Sequence, residues 1–287
     1  MTRVLVIGSS GRVGRMVRRS WDDGRGKCDS FDFTFQTRRS ASAQAGDLFW
    51  DIMKPLPDVL RAAKPFDCMI VLVGVVPEEG ADVSRNTDLG LACINAAGIL
   101  GIGHVLLASS SAVYGAHQDA PFRETDDTKP VNAYGRTKLE MEGACHAAAR
   151  ALGIGLCCLR IGNVAGADAL LRSGADLVGD ARLALDRFLD GSTPVRSYIG
   201  PRTLGDVLLN LVAKRADLPE ILNVAAPAPV EMHALAQVAG FPVDLRTAPP
   251  TASASITLDC NRLCALHDFV DGASDPRDLI RQWHSVT

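Results

Sequence analysis

The chain begins with an apolar run that ends directly in a glycine-rich turn, and this order of residues restricts its fold more than any other feature. Val4 to Ile7 predicts a buried strand, and the turn Gly8-Ser9-Ser10-Gly11-Arg12-Val13-Gly14 leads into a predicted helix, Val13 to Trp21. Glycine lets the backbone turn tightly and approach a pyrophosphate, whose charge then meets the N–H groups at the start of the helix. The glycine spacing is one residue longer than the usual dinucleotide fingerprint. We therefore predict a dinucleotide site at Gly8, Ser10, Gly11, Arg12, Val13 and Gly14.

Short β-branched runs alternate with helical patterns through the first half of the chain. This alternation is typical of a parallel sheet that is covered by helices on both faces. The further predicted strands are Asp32 to Thr37, Cys68 to Val73, Val105 to Ser109 and Gly155 to Leu159. The predicted helices between them are Pro55 to Ala63, Ser84 to Ala97 and Ala133 to Ala151. The predicted fold class is α/β, with a doubly wound parallel sheet of the Rossmann type.

The regular alternation breaks after Gly166, which predicts a second, smaller unit. Leu170 to Leu189 is predicted as one or two helices, and Val195 to Ile199 as a short strand. The helix Leu204 to Lys214 and the strand Ile221 to Val224 are expected to return to the main sheet. We assign residues 1–166 and 203–226 to the dinucleotide-binding domain, and residues 167–202 and 227–287 to a small C-terminal substrate-binding lobe.

Composition places the chain among ordinary globular proteins. Hydrophobic residues make up 47% of the 287 residues, and the formal net charge is -3, which argues against nucleic acid and anionic membrane as partners. The longest apolar run, Cys68 to Val76, is too short to span a bilayer. The first strand starts too early to leave room for a signal peptide. We expect a cytoplasmic protein.

Eight cysteines and six histidines are scattered along the chain without the spacing of a zinc site or a redox motif. Cys68, Cys157 and Cys158 fall within apolar strands, where cysteine behaves as a small hydrophobic residue. We expect buried free thiols and no metal site.

The end of the second predicted strand bears on the choice between the two nicotinamide dinucleotides. An NAD site places a carboxylate there to bind the ribose hydroxyls, but this chain has Phe35-Gln36-Thr37-Arg38-Arg39. A carboxylate would repel a 2′-phosphate, whereas a guanidinium binds it through paired hydrogen bonds. We predict NADP as the cofactor, with NAD as the alternative, and contacts from Thr37, Arg38 and Arg39. The alternative interpretation of the two arginines is a solvated pair in a loop.

Tyr134 and Lys138 stand four residues apart on a predicted helix, so both side chains can point into one cleft. A free tyrosine titrates near about 10, which is too high for an efficient base at neutral pH, and a nearby ammonium group lowers that pKa. Ser110 lies at the carboxyl end of the strand Val105 to Ser109, where it can donate a hydrogen bond to a substrate oxygen. We predict Ser110, Tyr134 and Lys138 as catalytic residues that act on an alcohol or a ketone.

Together these motifs resemble those of the extended short-chain dehydrogenases/reductases, the NAD(P)-dependent epimerase/dehydratase family. Besides the glycine turn, the matching pieces are Asn86, Ser109 to Gly115, Pro130 to Lys138 and Arg160 to Gly166. The chain departs from the family at Ile161, where a proline is usual, and at Ala165, where a tyrosine is usual. These departures concern the substrate rather than the fold.

The resemblance implies roles for further residues. Ser110 falls on the catalytic serine position, with Ser111 as the neighbouring alternative, and Asn163 falls where related enzymes contact the substrate. Lys138 is implied to hold the nicotinamide ribose. The remaining cofactor contacts are predicted at Asp51, Ile52, Val73 and Gly74.

We expect an oxidoreductase or epimerase that transfers hydride at a carbinol or ketone of a sugar or nucleotide sugar. A dehydratase would need an added acid and base where Ser111 and Ala112 stand, so dehydration is disfavoured. The arginines after the second strand favour a reductase over an epimerase. The alternative is a non-catalytic NADP-sensing regulator on the same fold, although such proteins tend to lose the tyrosine and the lysine.

The two long helices Ser84 to Ala97 and Ala133 to Ala151 are rich in alanine. Such helices can pack against the same pair of a second copy as a four-helix bundle. We therefore expect a homodimer that binds a small-molecule substrate.

Overall fold

The computed structural model describes residues 1–22, 27–38, 44, 46–116 and 120–287. Its strands are β1 (Thr2–Ile7), β2 (Phe31–Thr37), β3 (Leu48–Phe49), β4 (Cys68–Val71), β5 (His104–Ser110), β6 (Gly155–Ile161), β7 (Asn163–Val164), β8 (Leu183–Arg187), β9 (Val195–Arg196), β10 (Tyr198–Ile199), β11 (Ile221–Val224), β12 (Val230–Glu231), β13 (Val243–Thr247) and β14 (Ser255–Ile256). Its α-helices are α1 (Arg12–Trp21), α2 (Asp58–Arg61), α3 (Arg85–Ile99), α4 (Ala133–Leu152), α5 (Ala169–Ala175), α6 (Pro201–Ala213), α7 (Met232–Val238), α8 (Asn261–Cys264) and α9 (Pro276–His284).

In the described part of the chain, seven strands form one sheet in the order β11-β6-β5-β4-β1-β2-β3. Every pairing in this sheet is parallel. The strand order reverses between β1 and β4, whose carboxyl ends pair at Ile7 and Val71. The chain leaves these two ends in opposite directions, which opens a crevice where open α/β sheets bind ligands. The predicted fold class is confirmed.

The sheet is buried on both faces, and β1 shows how the sequence produces this. Val4 and Val6 belong to one hydrophobic core, Leu5 and Ile7 belong to the other, and all four are at most 1% exposed. Successive side chains of a strand point to opposite faces. A continuous apolar run therefore suits a strand that is covered on both sides.

Helices cover each face. On one side α1 packs against α6, with Val17, Leu204 and Val207 in the shared core. On the other side α3 packs against α4. Gly90 allows the close approach of α3 and α4, because a Cβ atom there would lie 2.8 Å from both Cys145 Sγ and Met141 Cγ.

A smaller hydrophobic core lies beyond the sheet and combines residues from α5, α7, α9 and β8. Part of the prediction for this region is wrong, because only Ala169–Ala175 of the expected helical stretch Leu170 to Leu189 is helical and Leu183–Arg187 forms β8. Strand β8 pairs in parallel with β13. Leu183 and Leu185 are buried while Ala184 between them is exposed, and this alternation fits a strand rather than a helix.

The predicted helix Pro55 to Ala63 is shorter in the structure. Only α2 (Asp58–Arg61) is helical, because Pro57 precedes it with extended backbone, at φ -63° and ψ 143°. Strand β4 likewise ends at Val71, two residues before its predicted end. Residues 72–76 instead form a loop that lines the crevice.

None of the described helices is long and apolar enough to cross a membrane. Six of the eight cysteines are buried, Cys28 is half-buried and Cys264 is exposed, and all eight are free thiols. The described residues contain no cluster of three or more His, Cys, Asp or Glu side chains that could hold a metal ion.

Candidate active site

The glycine turn lies in the crevice between β1 and β4, and its geometry requires glycine. Gly8 has a φ of +86°, and a Cβ atom there would lie 2.5 Å from the backbone nitrogen of Val73. A Cβ atom on Gly14 would lie 2.2 Å from the carbonyl oxygen of Gly8. The turn therefore brings strand and helix close together, and Gly11, Arg12 and Val13 at the start of α1 line the crevice. This cradle fits a pyrophosphate at the start of α1.

Gln36 orients this turn and was not predicted from the sequence. Its side-chain oxygen accepts a hydrogen bond from the Gly8 N–H at 2.9 Å, and its carbonyl oxygen accepts one from the Ser9 hydroxyl at 2.7 Å. Its side-chain nitrogen donates to the carbonyl oxygen of Trp50. Gln36 is 4% exposed, so its amide acts as a buried brace between β2 and the turn. A buried polar residue near the end of an apolar strand is the signal that could have identified it.

A cleft of about 610 Å³ runs along the carboxyl ends of the strands. Most of the predicted cofactor residues line it, namely Gly8, Ser10, Gly11, Arg12, Val13, Arg38, Asp51, Ile52, Val73, Gly74, Tyr134 and Lys138. Gly14 and Thr37 are buried beside the cleft rather than lining it. Arg39 lies outside the described residues. Arg15, Glu78 and Arg85 line the cleft as well, and no motif in the sequence pointed to them.

The start of α4 places Tyr134 beside Ser110. Asn132 caps the helix by accepting a hydrogen bond from the Gly135 N–H at 2.8 Å. A Cβ atom on Gly135 would lie 2.3 Å from the carbonyl oxygen of Ala112, so glycine lets the helix start press against the turn that follows β5. Tyr134 lies close enough to Ser110 for the two hydroxyl groups to interact. The Ser110 hydroxyl also accepts a bond from the Ala112 N–H at 3.2 Å.

Lys138 lies one helical turn further along, and its ammonium group is buried. The Nζ atom donates to the carbonyl oxygen of Ala108 at 2.9 Å, and the residue is 4% exposed. A Cβ atom on Gly74 would lie 3.2 Å from this Nζ and 3.2 Å from Asn86 Oδ1. Asn86 in turn bonds both backbone groups of Val75. The structure thus brings Ser110, Tyr134 and Lys138 to one end of the cleft.

The pKa values of the tyrosine and the lysine depart from their ordinary ranges mainly through burial. Burial raises the pKa of Tyr134, and the hydrogen bond with Ser110 opposes this rise. Burial lowers the pKa of Lys138 to about 8, against the attraction of nearby groups such as Glu142. The lowering of the pKa of Tyr134 by Lys138 stays a prediction. In this structure desolvation of the phenol outweighs the opposing interaction with Ser110. At neutral pH the phenol therefore holds its proton.

A buried ion pair joins α4 to β6. Glu142, one turn after Lys138, bonds Arg160 at 2.8 Å, and the two side chains are 3% and 4% exposed. Ser109 donates to the same carboxylate at 2.5 Å. Because neighbouring residues of a strand face opposite ways, Ser109 holds this pair while Ser110 faces Tyr134. The Arg160 guanidinium also lies over the ring of Tyr114, 4.7 Å from its centroid.

Asn163 lies on the far wall of the cleft, and its contact with a substrate stays a prediction. Asp168 lies on the same wall and is 8% exposed. Burial raises the pKa of Asp168, and hydrogen bonds from the Leu171 and Gly166 N–H groups oppose the rise. Ser111 begins a short 3-10 turn after β5 and does not line the cleft.

Comparisons with known proteins extend these observations. Residues 4–224 match the family model of the NAD dependent epimerase/dehydratase family. A UDP-glucose 4-epimerase from Azospirillum brasilense is 36% identical over 180 residues, which cover 60% of this chain and 52% of that protein. A UDP-glucose 4-epimerase from Streptococcus mutans is 29% identical over 57% of this chain and 52% of its own length. The chain thus spans about half the length of these curated relatives.

Solved structures resemble the chain over almost its whole length. The UDP-Glc/GlcNAc 4-epimerase from Campylobacter jejuni has a TM-score of 0.78 at 18% identity and covers 100% of this chain and 99% of that one. A UDP-glucuronic acid 4-epimerase variant from Bacillus cereus, in complex with NAD, has a TM-score of 0.77 at 15% identity, with 99% of each chain covered. At these identities the likeness shows the fold. The family model covers most of the sequence, and on that ground the chain belongs to the NAD dependent epimerase/dehydratase family, as its motifs predicted.

Proposed function

We propose that the chain transfers hydride, with a nicotinamide dinucleotide, at a carbinol or ketone carbon of a nucleotide sugar. The observation that carries this proposal is the meeting of Ser110, Tyr134 and Lys138 on the cleft that begins at the glycine turn. A non-catalytic sensor would need the turn but not these three groups. The relatives that bear the names of UDP-sugar epimerases support the substrate class.

The bound nicotinamide would supply or accept the hydride, and the side chains would manage the proton. Ser110 accepts the Ala112 N–H, which leaves its own hydrogen to donate to the substrate oxygen. Tyr134, whose pKa burial raises, is suited to give its proton to a carbonyl oxygen as the alcohol forms. In the oxidative direction the same phenolic oxygen takes the proton back.

Lys138 is proposed to hold the ribose and to keep positive charge beside the phenol. One of its three N–H groups is bound to Ala108, so two remain for ribose hydroxyls. With a pKa of about 8, the lysine is about nine-tenths protonated at pH 7. A cation at this place favours the phenolate that forms after proton transfer.

NADP is the proposed cofactor, with NAD as the alternative that the relatives' family favours. Arg38 is exposed on the cleft immediately after β2, where it can bind a 2′-phosphate through paired hydrogen bonds. The acid nearest this strand end that lines the cleft is Asp51, which is left to bind the adenine amine. We expect Arg38→Ala to weaken NADP binding about tenfold or more, and to change NAD binding much less. Equal losses for both dinucleotides, measured by calorimetry, would show that Arg38 does not read the phosphate.

Tyr134→Phe tests the proposed chemistry. The variant removes the transferred proton but keeps the ring, so turnover should fall by about 10²–10⁴-fold while the dissociation constant for the dinucleotide stays within error. UDP-glucose and related nucleotide sugars would be screened by chromatography and by the absorbance of reduced nicotinamide. A change in absorbance identifies a net reductase, whereas sugar inversion without such a change identifies an epimerase. An active Tyr134→Phe enzyme would refute the role of the phenol.

We also propose a homodimer built from α3 and α4. Ile99 and Leu152 near the ends of these helices are 59% and 49% exposed, and the two helices already pack together. Light scattering of the purified chain measures the mass directly. The cytoplasmic location stays a prediction.

A further inference from the structure

Three arginines lie along one side of α1, and one of them, Arg12, is also a predicted contact of the dinucleotide. Arg12, Arg15 and Arg19 are spaced so that they share a helix face. The opposite side of α1 packs against α6 through the buried Val17. The three guanidinium groups are therefore directed away from the hydrophobic core.

These arginines face a cavity of about 470 Å³ between α1, α5 and the end of the chain. We call it the arginine cavity. Among the described residues, the charged side chains that line it are Arg12, Arg15, Arg19, Arg172 and Asp176, and the last residue, Thr287, lines it as well. Its apolar lining includes Met16, Trp283 and Val286, which are all at most 8% exposed. Its volume lies within the range of small-molecule pockets.

Each guanidinium group is bound to an oxygen atom of the protein. Arg15 donates to the carbonyl oxygen of Ser10 at 2.8 Å, and Arg19 donates to that of Val286 at 2.8 Å. Arg12 and Arg172 share Glu78, at 2.5 Å and 3.1 Å. A guanidinium carries five N–H donors, so each of these contacts leaves further donors for a ligand.

The charges around the cavity are unbalanced. Four guanidinium groups are set against three carboxylates, those of Asp176 and of the last residue, Thr287, in the lining and that of Glu78 beside it, and like charges that are held together repel one another. A bound anion would relieve this repulsion. The rigid fork of a guanidinium matches the oxygens of phosphate in pairs, which favours a phosphate or pyrophosphate group over a carboxylate.

We propose that the arginine cavity is a second anion site that binds the phosphate or pyrophosphate group of a small molecule. It is separate from the catalytic cleft but adjoins it, because Arg12 and Arg15 line both. Arg15 donates a hydrogen bond to the carbonyl oxygen of Ser10 within the glycine turn. An anion bound to Arg15 would therefore change the surroundings of the dinucleotide site. The phosphate belongs either to a separate phosphorylated effector or to a nucleotide sugar that extends out of the cleft.

Calorimetric titration with inorganic pyrophosphate tests the proposal on the full chain, first loaded with NADP. The test variant is Arg19→Gln with Arg172→Gln, because neither residue lines the catalytic cleft. The matched control is Arg246→Gln with Arg277→Gln, which removes the same charge from exposed positions. We expect pyrophosphate to bind the wild type and the control alike, and to bind the test variant at least tenfold more weakly. Equal binding to the test variant and the control would overturn the proposal.

Two further arms complete the experiment. Circular dichroism shows whether the double variant folds. If it does not, the single variants Arg19→Gln and Arg172→Gln replace it, and each should lose part of the affinity for pyrophosphate. Competition with UDP-glucose separates the two sources of phosphate, since displacement of pyrophosphate identifies a ligand that extends from the cleft and simultaneous binding identifies a separate effector. The comparison of variants does not depend on turnover, so it stands even if the proposed chemistry fails.

Discussion

The buried ion pair between α4 and β6 gives the sharpest test of how this fold is stabilised. Glu142→Gln keeps the shape of the side chain and removes its charge, which leaves the Arg160 guanidinium almost fully buried without a counter-ion. Removing one partner of a buried pair costs about 3–5 kcal/mol, which is a large share of the about 5–15 kcal/mol that stabilises a typical domain. The Ser109 hydroxyl still has an amide oxygen to bind, so this hydrogen bond should contribute little to the loss.

The chain provides a matched control in a second arginine–glutamate pair. Arg150 and Glu220 lie 3.3 Å apart with side chains that are 69% and 63% exposed. Solvent screens such a pair, and Glu220→Gln should cost less than about 1 kcal/mol. Urea unfolding at pH 7, followed by circular dichroism, gives both free energies of unfolding. The reasoning is refuted if the two variants lose the same stability.

A third variant distinguishes the loss of the ion pair from the cost of leaving a buried guanidinium without a counter-ion. Glu142→Leu combined with Arg160→Met removes both ions and fills their space with apolar groups. Such replacements are often neutral or stabilising, so the double variant should unfold at higher urea than Glu142→Gln. If the double variant is less stable than Glu142→Gln, the stability lost in the single variant comes mainly from the missing ion pair and not from the unpaired guanidinium.

Two further outcomes follow from the site and from the second lobe. The pKa of Lys138 is lowered to about 8, so kcat/KM for reduction should stay constant below that pH and decline above it as the ammonium loses its proton. Lys138→Arg, which stays charged, should remove the decline. A pH profile that this variant leaves unchanged would contradict the assignment of the decline to Lys138. Gly166 has a φ of +84°, and a Cβ atom there would lie 2.1 Å from the Trp283 ring; we therefore expect Gly166→Ala to destabilise the fold by about 1–3 kcal/mol or more, measured by thermal unfolding, and an unchanged melting temperature would contradict this packing.

The sequence predicted six of the seven strands of the described main sheet, because most of them contain apolar runs; the two-residue strand β3 was not predicted. Val4 to Ile7 is buried on both faces, and the predicted boundaries of β1 and β11 agree with the structure to within two residues. The glycine turn and the Tyr134–Lys138 spacing could be identified from the sequence as well, because each lies within one short segment. In such a segment the order of the residues alone predicts the local geometry.

What the sequence did not reveal depends on contacts between distant segments. Gln36 braces Gly8 only because β1 and β2 are neighbours in a particular register. Strand β8 has just two buried leucines to indicate its alternation, and its partner β13 lies far along the chain. The depressed pKa of Lys138 likewise comes from burial, which a helical spacing does not measure.

The pairing of β8 with β13 also has a consequence for how the protein is made. Leu183 can meet Val243 only after the whole intervening stretch has been synthesised. A ribosome emits the chain from its N-terminus, and early units fold while later ones are still being translated. The large sheet can thus be completed with β11 while β8 waits with its leucines in water.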